Sequence, residues 1–198
     1  MASRRLIVGI SGATGVLYGV RLLEWLRPTG VETHLVVSRA ADLTRAQETA
    51  LGARELRALA DVSYEVDDLG AAISSGSFPT LGMVVIPCSV KSLAEIATGV
   101  TSTLLTRAAD VVLKQRRRLV LVVRETPLHA GHLRNMLAAT EAGAVVMPPV
   151  PAFYTLPKTV DDIVDDTVGR VLDLFDVAVG RVKRWGEDIG HPARQPGP

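Results

Sequence analysis

Three short segments put small or hydroxyl-bearing residues where an apolar run gives way to a helical pattern. The first is Gly9-Ile10-Ser11-Gly12-Ala13-Thr14-Gly15, after the run Leu6–Ile10. At such a junction the exposed amides and dipole of the following helix favour an anion, and near-absent side chains let a phosphate come close. The spacing is G-x-x-G-x-x-G rather than the G-x-G-x-x-G of dinucleotide folds, so a mononucleotide is expected; a tight turn packed for its own sake is the alternative. The second segment is Pro87-Cys88-Ser89-Val90-Lys91-Ser92, where Ser89 or Ser92 can cap a helix and touch a ligand, or cap it and do nothing more. Ser38, after the run Glu32–Val37, makes a third. Several such turns at strand carboxyl ends are more telling than one, because ligands of open α/β sheets bind along that edge. Cys88 reads as a small buried residue rather than a nucleophile, since only Lys91 nearby would lower its pKa.

Charged and aromatic residues follow. Arg124-Glu125-Thr126-Pro127-Leu128 directly succeeds the apolar run Leu119–Val123. Arg124 can grip a phosphate with two parallel hydrogen bonds and Glu125 can move a proton, or the two can form a structural ion pair. Arg107 and Lys114 lie seven residues apart on one helical face, whereas Arg116, Arg117 and Arg118 read as a solvated or subunit-facing run. Pro148-Pro149-Val150-Pro151-Ala152-Phe153-Tyr154 is a stiff loop able to present Tyr154. Arg170 borders an apolar helical stripe, where a phosphate shared with Tyr154 or a snorkelling stem would account for it. Trp185 offers a π face over an electron-poor centre, or plain packing. Asp161-Asp162-Ile163-Val164-Asp165-Asp166 invites comparison with metal-diphosphate motifs, but Thr159 in front of it makes it the opening of a capped helix. His129 and His132 sit in no H-E-x-x-H frame, and no metal is expected.

These residues need a scaffold. Strand-length apolar runs at Leu6–Ile10, Glu32–Val37, Met83–Ile86, Leu119–Val123 and Ala144–Met147 alternate with helical patterns. The helices are expected at Val16–Leu26, Leu93–Ala97 with Leu104–Leu113, His132–Ala142, and Val160 to Lys183, the last docked on the core. This is an α/β chain, a three-layer α/β/α fold with a flavodoxin- or Rossmann-like parallel sheet. Its 198 residues, 47% hydrophobic, suit one domain over 1–190 with a loose tail at 191–198. Lys and Arg total 22 against 21 acids, so no overall field recruits nucleic acid or a membrane surface. One cysteine and the absence of a long apolar span predict a cytoplasmic protein.

Taken together, Gly9–Gly15, Ala72-Ile73-Ser74-Ser75-Gly76-Ser77, Pro87-Cys88-Ser89, Arg107-Ala108-Ala109-Asp110-Val111, Leu113-Lys114, Arg124-Glu125-Thr126-Pro127 and Pro148-Pro149 through Phe153-Tyr154 closely resemble the UbiX/Pad flavin prenyltransferases, in order and spacing over nearly the whole chain. The resemblance implies a homo-oligomer, typically a dodecamer, that moves a dimethylallyl group from dimethylallyl phosphate to N5 and C6 of reduced FMN without a metal. The product would serve a UbiD-type decarboxylase. FMN is then assigned to Gly12, Ala13, Thr14, Ser38, Ser89, Val90, Lys91, Ser92 and Arg124, and the isoprenyl phosphate to Tyr154 and Arg170, with Arg107 and Lys114 as further contacts. Glu48, Glu125, Thr14 and Lys114 would assist proton and charge movement, and Trp185 would flank the allyl group. Two positions depart from the family: Thr14 stands where Ser is common, adding a methyl, and Gln115 stands where an acid is common, so no salt bridge is implied there. A flavin-binding non-catalytic subunit of an aromatic-acid decarboxylase is a rival reading. A flavin-dependent cysteine decarboxylase is another, against which the Asn-free turn Pro87–Lys91 argues.

Overall fold

Six strands form one wholly parallel sheet: β1 (Arg5–Ile10), β2 (Glu32–Val37), β3 (Val62–Tyr64), β4 (Gly82–Cys88), β5 (Arg118–Val123) and β6 (Ala144–Val146), in the order β3-β2-β1-β4-β5-β6. The computed structural model describes residues 4–190 and divides the chain into two compact units, Met1–Pro149 and Val150–Pro198; the tail expected at 191–198 lies outside the described residues. The strand order reverses between β1 and β4, the place where such sheets open a crevice at their carboxyl ends. In the central strands every residue is buried irrespective of parity, as in Met83–Cys88 and Leu119–Val123, so both faces are covered. One core cluster joins Ile7, Met83, Val85, Leu119 and Leu121 to Leu93, Leu104, Leu105 and Ala108. Each fully buried Leu or Ile contributes about 1.5–3 kcal/mol relative to exposure.

The first unit also holds α1 (Val16–Leu26), α2 (Arg39–Glu48), α3 (Ala53–Arg57), α4 (Val90–Thr98), α5 (Leu104–Lys114) and α6 (Ala130–Glu141). Strand β3 and helices α2 and α3 were not expected from the sequence. In β3 three residues alternate partial and full exposure, giving no apolar run. In α2 only Ala41 is buried, so its polar sequence carries no stripe. Ion pairing does that work instead: Asp42 of α2 accepts from Arg57 of α3 at 2.9 Å and 3.4 Å.

In the second unit α7 (Val160–Asp173) starts on a capping box. The Thr159 hydroxyl accepts from Asp162 N at 3.1 Å, while the Asp162 carboxylate accepts from the Lys158 and Thr159 amides at 2.7 and 2.9 Å. Those amides hold the Asp162 carboxyl below its ordinary range, so the acidic run reads as a helix opening. The helix expected to reach Lys183 ends at Asp173. Asp176 adopts a left-handed φ of 55° and the Val177 amide reaches back to Leu172 O at 3.1 Å, a helix stop made without the glycine that would have announced it.

On β2, between β1 and β3, a polar side chain is buried. His34 is 2% exposed; its Nδ1 lies 3.0 Å from the Tyr64 hydroxyl and its Nε2 lies 3.1 Å from Glu32, which also accepts from Arg5 Nε at 3.1 Å. Burial lowers the imidazole pKa below 6.5, with Glu32 pulling the other way. Below about 6.5 the unfolded chain therefore binds this proton more readily, and stability falls with pH until the folded imidazole also protonates. The urea midpoint of the native chain is expected to drop across that interval more steeply than that of His34→Gln; parallel pH profiles would show that His34 does not carry the dependence.

Candidate functional site

Hydrogen bonds beyond the strand ends assemble the carboxyl edge of the sheet. Ser38 N donates to Ile10 O at 2.9 Å, Ser11 N to Pro87 O at 3.1 Å, and Arg124 N to Cys88 O at 3.0 Å. The fully buried Ser11 hydroxyl adds a second tie, donating to Pro87 O at 3.1 Å and accepting from Ser89 N at 2.7 Å. Its part in joining the β1 and β4 turns was not legible from a serine in a glycine-rich loop, although its place at the strand order's reversal was a signal.

Between these turns lies a cleft of about 280 Å³. It brings together five of the sequence-assigned residues, Gly12, Ser38, Ser89, Lys91 and Ser92, and adds Arg39 and Asp67, which the sequence reading missed. Arg39 could have been noticed beside Ser38; Asp67 follows the unexpected β3. Ser38 caps α2, accepting from Ala41 N at 3.1 Å, and Ser89 caps α4, accepting from Ser92 N at 3.2 Å. Gly12 is sterically required, since a Cβ there would come within 2.3 Å of the Ala40 Cβ.

The amino end of α1 does not face this cleft with vacant amides. Gly15 is left-handed, with φ of 98°, and the Glu48 carboxylate from the end of α2 accepts from Gly15 N at 2.9 and 3.1 Å and from Val16 N at 3.0 Å. The Thr14 hydroxyl donates to the same carboxylate. The anion at the first glycine junction is thus the protein's own, and it places Thr14 and Glu48, both picked out in the sequence, in contact. Ala13, Thr14 and Val90 belong to the same turns but do not line the cleft.

Arg124 is exposed and forms no ion pair with Glu125, whose carboxylate instead accepts from Thr126 N at 3.0 Å. That removes the structural-pair alternative and leaves the Arg124 guanidinium without a partner among the described residues. Arg107 is held by Asp110 at 2.9 Å. Lys114 ends α5, about 14 Å along the helix from the cleft-lining Leu105, and does not line the cleft. Cys88 is fully buried and its thiol is pushed up to about 12 by desolvation, so it is inert.

In the second unit Tyr154 and Trp185 meet edge to face, with ring centroids 5.5 Å apart, and both rings are largely exposed. Arg170 is exposed, near Asp166, whose carboxyl is raised by burial and lowered less by Arg170. Among the described residues no group of three or more His, Cys, Asp or Glu is placed to hold a metal ion, and no helix is long and apolar enough to cross a membrane.

The Flavoprotein family model matches residues 1–172. A curated relative, Flavin prenyltransferase UbiX of Salmonella typhimurium, is 63% identical over 88% of this chain and 93% of its own length. The crystal structure of AnUbiX (PadA1) in complex with FMN and dimethylallyl pyrophosphate superposes with a TM-score of 0.91, at 52% identity, covering 92% of this chain and 97% of that one. The dodecameric FMN-dependent UbiX-like decarboxylase of Escherichia coli O157:H7 gives 0.89 at 54% identity, covering 91% and 98%.

Gly12→Ala should lower stability by about 1–3 kcal/mol through overpacking against α2. Adding Ala40→Gly removes the atom in the way and should recover part of the loss in urea unfolding; additive losses would mean the two residues do not meet.

Proposed function

Because the chain belongs to the flavoprotein family, and within it to the UbiX-type flavin prenyltransferases, we propose that it transfers a dimethylallyl group from dimethylallyl phosphate to N5 and C6 of reduced FMN. The observation that carries this reading is the cleft at the β1/β4 reversal, in a chain so close to enzymes of that name. Its hydroxyls from Ser38, Ser89 and Ser92, its cations Arg39 and Lys91 and the side-chain-free Gly12 on its wall suit the ribityl phosphate arm of FMN. The cleft is at the small end of ligand sites, so it takes that arm rather than the whole molecule.

When bound, reduced FMN supplies the two nucleophilic atoms. The chain's own groups do the remainder. Arg124 and the α4 turn orient the flavin, and Thr14 with Glu48 forms a hydroxyl–carboxylate pair able to hold or pass a proton. Tyr154 and Arg170 bind the departing phosphate, which needs no metal when a guanidinium and a phenol supply the donors. Trp185, already against Tyr154, offers its ring to the developing allylic cation. Glu125 is the acceptor for the proton lost when the second bond closes. Lys114 and Arg107 belong to this set through a homo-oligomer, read as a dodecamer, because Lys114 does not line the cleft of its own subunit. The family match, which covers the first compact unit and reaches residue 172 of the second, supports reading residues 1–190 as one flavoprotein domain. The product is assigned to a UbiD-type decarboxylase, and the protein to the cytoplasm.

Anaerobic incubation with reduced FMN and dimethylallyl phosphate should yield a flavin heavier by one dimethylallyl group, unaffected by a chelator. FMN binding without that mass would make the chain a flavin-carrying subunit instead. Tyr154→Phe should raise KM for dimethylallyl phosphate by roughly tenfold or more, the scale of a hydrogen bond to a charged group, and Arg170→Ala further, with FMN affinity unchanged. Loss of FMN binding in either variant would place those residues on the other ligand.

A further inference from the structure

The cleft's two cations are each already paired with an acid. Lys91 lies 3.5 Å from Glu95 one turn along α4, and Arg39, the first residue of α2, is paired with Asp67 from the loop after β3. The two pairs differ in what they connect. The first lies within one helix, whereas the second joins segments 28 residues apart, and all four residues line the cleft. The Arg39 and Asp67 side chains are 82% and 64% exposed, so the pair is solvated and opens easily. A guanidinium in that place is the stronger attraction for a phosphate, because it offers two parallel donors. A phosphate entering the cleft therefore has to take Arg39 from Asp67, and the displaced carboxylate stays beside it as a repelling charge.

We propose that Asp67 competes with the flavin phosphate for Arg39, so that this pair sets how tightly the chain retains its flavin. The inference rests on the reading that the cleft binds FMN. A carboxylate that returns to Arg39 when the phosphate leaves weakens retention at equilibrium and shortens residence, which suits a chain whose product must pass to another protein. Neither Arg39 nor Asp67 is required for the transfer chemistry in this account; they are positioning residues for the phosphate.

The test is a titration of FMN and of riboflavin, which lacks the phosphate, against the native chain, Asp67→Asn, Arg39→Gln and the double variant. Asp67→Asn should bind FMN roughly two- to fivefold more tightly and release it more slowly, the scale set by a solvated ion pair, with riboflavin affinity unchanged. Arg39→Gln should weaken FMN and not riboflavin, Arg39→Lys should restore part of the loss, and in the double variant the gain from Asp67→Asn should vanish. An Asp67→Asn chain that binds FMN no better than the native one overturns the proposal, as does an equal change for FMN and riboflavin or a gain that survives without Arg39. A native chain that binds no FMN overturns the underlying reading, and this one with it.

Discussion

The Ser11 hydroxyl is buried and uncharged, yet it is where the two turns at the reversal of the sheet are fastened together. It donates to the carbonyl of Pro87 and accepts from the amide of Ser89, while its own amide also reaches Pro87. A buried hydroxyl left unpaired is destabilising by about 1–3 kcal/mol, so each turn is the other's condition for being folded. Once they are joined, Ser89 is fixed as the cap of α4, Gly12 is pressed against Ala40, and the first residues of α2 and α4 share one cleft. Hydroxyls, amides and cations thus converge without any loop having to close on a ligand.

The same economy appears at α1. A glycine junction that would attract a phosphate is filled by Glu48, which satisfies the Gly15 and Val16 amides and takes the Thr14 hydroxyl as well. Two consequences follow from one carboxylate. The amides at the amino end of α1 are satisfied without a ligand, and the helix ends that line the cleft are those of α2 and α4, capped by Ser38 and Ser89. A hydroxyl and a carboxylate in contact are also a pair between which a proton can pass, and the methyl of Thr14 leaves that hydroxyl in place.

The apolar runs made the sheet readable: β1, β2, β4 and β5 are buried on both faces, so their sequences are nearly uninterrupted hydrophobic segments, and α1 begins and ends where its pattern does. Elements held by charge were not readable. Helix α2 buries one alanine and is tied down through Asp42 and Arg57, and α7 stops at a left-handed aspartate. The hydroxyl turns that line the cleft were legible because caps at strand ends have a sequence form. Arg39 and Asp67 were not, since their pairing depends on where β3 brings its loop. Nor could sequence spacing reveal that Arg124 and Glu125, adjacent in the chain, do not pair.

A crystal structure of the chain with FMN would locate the phosphate. The phosphate is expected among Ser38, Ser89 and Ser92, beside Gly12 and in reach of Arg39 or Lys91, with Glu48 still on the amides of Gly15 and Val16. A phosphate seated on those α1 amides with Glu48 displaced, or a flavin bound away from the β1/β4 reversal, would contradict that placement.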